Sequence, residues 1–365
     1  MKVLFIRYKK SVGVFEGGER GTEEKYQTIC HVVGKENVDT YFIHDENKKK
    51  TVLDYLRGAC YFPFGYFFGI TPKRVNSIVS MAKDYDVVWI DRSIFGIIAR
   101  RLKEAGYKGQ VIVFFHNIEP NYFDAKLKKN HPLRSIIINC VAKNDKYSCK
   151  YADSIVALTS RDSNDLKQMY GRGADFIAPI VLRDSLDKLS LTDNQLTSTP
   201  PLCTILAAFF VPNNEGIRWL IENVYHHVNV KLRIVGKGMG KLREESWMPN
   251  EVEIFSDVPD LTPYMREADI MILPIFKGSG MKVKTCESLM YGKNIIATDE
   301  AFVGYDVDYN RVGGKCNTAQ EFIACIRDFE ANPRPRFNAY SRQMFLDKYS
   351  EEAVIENFRQ VLSNN

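Results

Sequence analysis

Short apolar runs alternate with longer amphipathic stretches along the whole chain. KVLFIR (2–7), VDTYFI (38–43), DVVWID (86–91), QVIVFF (110–115) and SIVAL (154–158) are mostly apolar. Strands buried on both faces of a parallel sheet read this way, whereas half-exposed strands alternate. Helices are predicted between them at 22–34, 75–84, 95–105 and 132–151, and TSRDS (159–163) opens another. IAPIV (177–181) leads into residues 184–201, whose Asp, Ser, Thr, Asn and Pro content marks a linker. The alternation then restarts. CTILAAF (203–209), VKLRIV (230–235), VEIF (252–255), ADIMIL (268–273) and NIIAT (294–298) are the second set of strands. Helices are predicted at 214–224, 261–267, 283–291, 319–329 and 337–361. The fold class is therefore α/β, with two doubly wound, Rossmann-like parallel-sheet domains whose strand ends face a cleft. The predicted limits are 1–183 for the first domain, 184–201 for the linker and 202–340 for the second domain, with 341–365 a C-terminal helix crossing back to the first. A length of 365 residues agrees, being too great for one ordinary core.

Composition narrows the class. Apolar residues make up 45% and charged residues 26%, as in a globular protein. No apolar run approaches a membrane span, and MKVLFIRYKK lacks the apolar core of a signal peptide, so a cytoplasmic protein is expected. The eight cysteines lack metal-ligand spacing and read as reduced, mostly buried thiols, with no zinc site. The net charge of +5 is uneven: residues 1–184 hold 30 Lys and Arg against 21 Asp and Glu, the remainder 20 against 24. A basic first half suits an anionic acceptor or peripheral contact with the inner face of a membrane, and ordinary solvated helix faces account for it equally. YFPFGYFFGI (61–70) gathers six aromatics around Pro63. It reads as a membrane-interface wedge, as a lip holding an acceptor by ring faces, or as a loop packed on the core.

The strongest candidate chemistry lies at 274–298, PIFKGSGMKVKTCESLMYGKNIIAT. A buried strand runs into a loop with Gly278 and Gly280, a helix follows until Gly292 ends it, and a second strand comes next. Such a unit aims orphan N–H groups and the positive end of a helix dipole at the sheet edge, where they suit an anion. Lys282 and Lys284 flank the turn as cations for a diphosphate. Glu287, an acceptor-only carboxylate, suits a vicinal diol. A second candidate is HNIEP (116–120), where His116, Asn117 and Glu119 appear abruptly at the carboxyl end of a strand. His116 reads as a sugar-hydroxyl ligand or as a satisfied structural histidine. The opening loop (8–21) carries Gly13, Gly17, Gly18 and Gly21 without the dinucleotide fingerprint, and GKGMG (236–240) lacks the spacing of a Walker A.

Taken together these residues resemble the retaining GT-B glycosyltransferases of glycosyltransferase family 4, the group 1 glycosyltransferases. The core PIxxGSGMKxKxxESL within 274–298 carries most of the likeness. HNIE (116–119), TSRD (159–162), VPNNE (211–215), IVGKG (234–238) and FLDKYS (345–350) agree with it. The resemblance implies transfer of a sugar from a UDP-sugar or GDP-sugar to a glycan or lipid-linked acceptor; the basic first half and the aromatics of 61–70 point to an acceptor presented at a membrane, as in surface polysaccharide synthesis. No metal, no other cofactor and no nucleic-acid partner are implied, and no Asp-x-Asp motif lies near the donor loop. By resemblance Glu287 binds the ribose, and Gly280, Met281 and Lys282 present N–H groups to the donor sugar and diphosphate. His116 reaches toward the donor sugar, and Gly17 and Gly18 match the Gly turn that approaches the donor phosphates and the acceptor. His116, Lys282 and Glu287 form the expected catalytic set. Gly17, Gly18, Asn117, Glu119, Gly236, Ser279, Gly280, Met281 and Lys284 are the expected substrate contacts. Two departures stand out. Ser279 occupies the position of the first Glu of the Glu-x7-Glu motif. FFVPNNE (209–215) replaces the Arg and Lys that neutralise the diphosphate, a task that falls to Lys282 and Lys284; two residues apart on a helix they cannot share one face, and Lys282, nearer the turn, is the expected phosphate contact. A nucleotide-sugar epimerase or hydrolase, or a nucleotide-sugar-binding partner with weak catalysis, is the alternative reading.

Overall fold

The computed structural model describes residues 1–9, 17–44, 60–67, 69–127, 129–186 and 195–363. They form two compact units: of the described residues, one holds those up to Pro179 other than Gly17, together with those from Val354 on, and the other holds Gly17 and Ile180–Ala353.

In the first unit the order is β1 (Val3–Arg7), α1 (Gly17–Val33), β2 (Val38–Phe42), α2 (Pro72–Met81), β3 (Val87–Ile90), α3 (Gly96–Glu104) and β4 (Gln110–Phe115). Then come α4 (Glu119–Lys126), α5 (Arg134–Tyr151), β5 (Ser154–Ala157), α6 (Ser160–Tyr170) and β6 (Phe176–Ile177). All six strands join one parallel sheet in the order β2-β1-β3-β4-β5-β6. Every residue of β1, β3 and β5 is buried, the physical reason their sequences do not alternate. The order reverses between β1 and β3, and ligands of open α/β sheets bind outside the carboxyl ends of the strands at such a reversal.

The second unit runs β7 (Leu202–Leu206), α7 (Val211–Asn223), β8 (Lys231–Gly236), β9 (Glu253–Ser256), α8 (Thr262–Glu267), β10 (Ile270–Leu273), α9 (Val283–Met290) and β11 (Asn294–Ala297). It continues with α10 (Tyr309–Val312), β12 (Gly313–Lys315), α11 (Ala319–Ala331), α12 (Ala339–Lys348) and α13 (Glu351–Ser363), which re-enters the first unit at Val354. Its parallel sheet has the order β12-β11-β10-β7-β8-β9, reversing between β7 and β10. Asp269, fully buried at the start of β10, ties the chain entering this sheet. Its carboxylate accepts from Ser198 Oγ (2.5 Å), Leu202 N (2.8 Å) and Arg336 Nε (2.9 Å).

Several elements differ from the sequence expectation. Helix α1 already begins at Gly17, where a loop through Gly21 was expected; the start of that loop lies outside the described residues. The turn after HNIE becomes α4, its Pro120 sitting in the first helical turn, where a missing N–H costs nothing. The single helix expected at 337–361 is two. Ser350 breaks it, because its hydroxyl accepts from Ala353 N while Leu182 N takes the Tyr349 carbonyl. Part of the expected linker, 187–194, lies outside the described residues. The flanking Asp184 is ion-paired with Arg342. In the aromatic segment Phe62 and Phe67 are core residues, stacked at 5.9 Å, while Phe64 is 65% exposed and Phe68 lies outside the described residues. Among the described residues no helix is long and apolar enough to cross a membrane.

Candidate functional site

Each sheet reversal carries a polar cluster. In the second unit, β10 ends at Leu273 and the chain is at once pinned against α7. A Cβ on Gly216 would stand 1.9 Å from the Pro274 carbonyl oxygen, so only glycine allows this approach. The loop turns at Gly280, whose φ of 63° is left-handed, and α9 begins at Val283 without a side-chain cap. Glycine 292 then terminates the helix with φ 58°.

The two lysines of this loop have separate partners. Lys282 Nζ donates to the Gly280 carbonyl (2.7 Å) and pairs with Glu300 (2.8 Å), while Tyr305 Oη donates to the Lys282 carbonyl (2.7 Å). Lys282 is thus a staple of the turn. Lys284 Nζ donates instead to Asn213 Oδ1 of α7 at 3.2 Å, bridging the helices that follow β10 and β7. This places an ammonium at the sheet reversal itself. Burial, reinforced by the charge of Lys282 and opposed by Glu287, lowers its pKa to about 8. Glu287 is half-buried one turn further along α9, and Ser279 is half-buried in the loop. Met281 turns inward, its Sδ facing Ile180 N at 3.4 Å. Gly236 ends β8 with φ 145°, and a Cβ there would fall 1.9 Å from the Ala207 carbonyl oxygen. Beside it, Asp257 accepts from Gly238 N at 3.1 Å.

In the first unit, His116 follows β4 and meets residues from α1 and the end of β3. Its Nε2 lies 2.8 Å from Lys25 Nζ and 3.1 Å from Asp91 Oδ2. Thr22 Oγ1 donates to the same Asp91 oxygen at 2.6 Å, and Lys25 forms an ion pair with Asp91 Oδ1 at 3.3 Å. Burial and the Lys25 charge press the His116 pKa down to about 4, against the pull of Asp91. Burial also opposes ionisation of Asp91, yet Lys25 and His116 prevail and hold it at about 2. The Lys25 ammonium, lowered to about 8 mainly by burial, also sits 3.9 Å above the Phe114 ring.

Not every expected residue joins these clusters. Glu119 is fully buried, with its carboxylate 3.7 Å from Arg92 and its own N–H donating to Asp145 at 3.0 Å. Burial raises the pKa of both carboxyls. Glu119 therefore packs the turn beneath His116. Asn117 is half-buried beside His116. Gly17 and Gly18 lie in the first turn of α1, and a Cβ on Gly18 would meet nothing within 4 Å. The sequence reading missed Lys25, Thr22 and Asp91. Asp91 was accessible to the rule that singled out His116, since it too is a polar residue closing an apolar strand. Among the described residues no group of three His, Cys, Asp or Glu is placed to hold a metal ion.

Residues 200–329 match the family model described as Glycosyl transferases group 1. No curated protein matches the sequence. Three solved structures share the fold over the whole of both chains. Sucrose-phosphate synthase from Thermosynechococcus elongatus is 14% identical with a TM-score of 0.74, each chain covered to 100%. HepE from Anabaena, solved in complex with UDP-glucose, is 12% identical with a TM-score of 0.68, again with 100% of both chains covered. An α,α-trehalose-phosphate synthase from Burkholderia xenovorans gives 12% identity and a TM-score of 0.69 at the same coverage. The fold of this chain is thus that of the GT-B glycosyltransferases.

Proposed function

We propose that the protein is a glycosyltransferase that moves a sugar from a nucleoside diphosphate sugar to a glycan or lipid-linked acceptor, with retention at the anomeric carbon. One observation carries the reading: the Lys284–Asn213 bridge sets a cation at the sheet reversal of the second unit, on the same helix as Glu287. Lys284 neutralises the diphosphate, a role the sequence alone favoured for Lys282, which the structure engages with Glu300. Glu287 accepts the ribose hydroxyls. Backbone N–H groups after Gly280 stabilise charge growing on the leaving phosphate, and as fixed donors they need no reorganisation. His116 binds a sugar hydroxyl. No residue stands out as a protein nucleophile, so the incoming hydroxyl attacks on the face from which the phosphate departs and gives its proton to that phosphate. The group 1 match and the UDP-glucose complex of a structural neighbour support a uridine nucleotide sugar. Exposed Phe64 and Tyr61, with Lys143 held against the Pro63 carbonyl, favour an acceptor presented at a membrane in surface polysaccharide assembly.

The test is incubation with a panel of UDP- and GDP-sugars, with and without glycan or lipid-linked acceptors, in the presence and absence of EDTA. Acceptor-dependent transfer that survives EDTA is the expected result. Turnover without acceptor makes the protein an epimerase or hydrolase, and nucleotide binding without turnover refutes transfer.

A further inference from the structure

We infer that Lys25 is the positioning residue of His116, its ammonium donating to Nε2 and so holding the imidazole as the neutral Nδ1–H tautomer. The functional consequence rests on the reading of His116 as a ligand of a sugar hydroxyl; the contact itself does not.

The geometry leaves one consistent proton arrangement. Nε2 has two near neighbours, Lys25 Nζ at 2.8 Å and Asp91 Oδ2 at 3.1 Å. An ammonium has only donors and a carboxylate only acceptors, so a neutral ring nitrogen can satisfy one of them. A proton on Nε2 would serve Asp91 but would face the ammonium across 2.8 Å. A lone pair on Nε2 serves Lys25, and Asp91 does not need the ring, because Thr22 Oγ1 and the Lys25 ion pair already supply it. The ammonium then lies against three groups: it donates to Nε2, pairs by charge with Asp91 Oδ1 and sits over the face of Phe114. A doubly protonated ring would bring two cations together where Lys25 is only 4% exposed, with little water to screen them. The other charges facing the cluster are Arg92, which bears on both His116 and Lys25, and Arg7, which bears on Lys25. These two are held by Glu119 and Glu23 respectively. Both arginines oppose protonation of the ring or of its partner, and neither contributes an acceptor for Nε2–H.

The consequence for chemistry is directional. A ring fixed in this tautomer has its proton on Nδ1 and its one lone pair, on Nε2, engaged by Lys25, so toward a sugar oxygen it can only donate and it cannot act as a general base. Lys25 and Thr22, one turn apart on α1, thereby reach the site through Asp91 and His116.

The test is a two-bond proton–nitrogen correlation on the full chain labelled in histidine. The His116 signal is assigned by its loss in His116→Gln. The expected wild-type pattern at pH 7 is a bare Nε2 and a protonated Nδ1, unchanged down to about pH 5. In Lys25→Met the proton should move to Nε2, now donating to Asp91, and the ring should bind protons at least tenfold more tightly. Lys25→Arg, which keeps a cationic donor, should retain the wild-type tautomer, and so should Asp91→Asn. A wild-type ring protonated at Nε2 overturns the inference, as does Lys25→Met with an unshifted tautomer and titration. If Lys25→Met does not fold, the wild-type and Asp91→Asn spectra decide. Undiminished transfer by His116→Ala beside the inferred tautomer would remove the sugar-binding reading and leave the Lys25 contact standing.

Discussion

Donor affinity should fall as the pH rises through the value at which Lys284 loses its proton. The ammonium is the cation assigned to the diphosphate, and burial lowers its pKa to about 8. At pH 7 it is about nine-tenths charged, and at pH 9 about one-tenth. A nucleoside diphosphate already carries its full charge over this range, since its last phosphate proton leaves near about pH 6. If only the charged form of the free protein binds, the apparent Kd rises about tenfold between pH 7 and pH 9, equivalent to about 1.4 kcal/mol. Calorimetric titration with UDP at pH 7, 8 and 9 measures this directly. Lys284→Met should bind weakly at every pH and lose the slope. Lys284→Arg, charged throughout, should lose the slope while keeping affinity. A flat wild-type profile, or a slope that persists in Lys284→Met, would refute the assignment of this lysine to the phosphates.

Other consequences follow from burial and close approach. His116 stays neutral in the folded state down to about pH 4, whereas an unfolded imidazole takes up its proton near about 6.5. The unfolded chain thus binds more protons at pH 5, and the first unit should lose about 2 kcal/mol between pH 7 and pH 5 relative to His116→Gln. Hydrogen exchange of the β4 amides reads that difference. Gly236→Ala places a Cβ 1.9 Å from the Ala207 carbonyl oxygen at a φ of 145°. It should cost about 2–4 kcal/mol and lower the melting temperature of the second unit. Asp269→Ala removes the acceptor shared by Ser198, Leu202 and Arg336 and strands a partly buried guanidinium. A loss of about 3–5 kcal/mol is expected in urea unfolding followed at Trp219 and Trp247.

Much of the fold was legible because parallel strands covered on both sides need unbroken apolar runs, and DVVWID or QVIVFF cannot serve another purpose easily. The glycine turn after β10 and the helix behind it were legible for a related reason: Gly280, the two lysines and Glu287 lie close in sequence, within one window. Strand β12 was not, since Gly-Gly-Lys offers no apolar signal, and it pairs only because Gly313 lets the backbone reach Ile295. The break at Ser350 depends on Leu182, a partner far away in the chain. The environment of His116 was hidden for the same reason. Thr22 and Asp91 meet across 69 residues, and Lys25 and His116 across 91. Helical periodicity also gave Lys25 no distinction from the exposed lysines around it.

Phe358, near the end of α13, stacks on Trp89 of β3 with ring centroids 6.0 Å apart, both in the first unit. Seen from the ribosome, this unit is started early and finished last, because its closing helix is translated after the whole second unit. The nascent sheet must wait with the Trp89 side uncovered while about half the chain is synthesised, an interval in which exposed apolar surface invites aggregation or chaperone capture. Substitutions at Phe358 should therefore reduce yield in the cell more than they reduce the equilibrium stability of protein already folded.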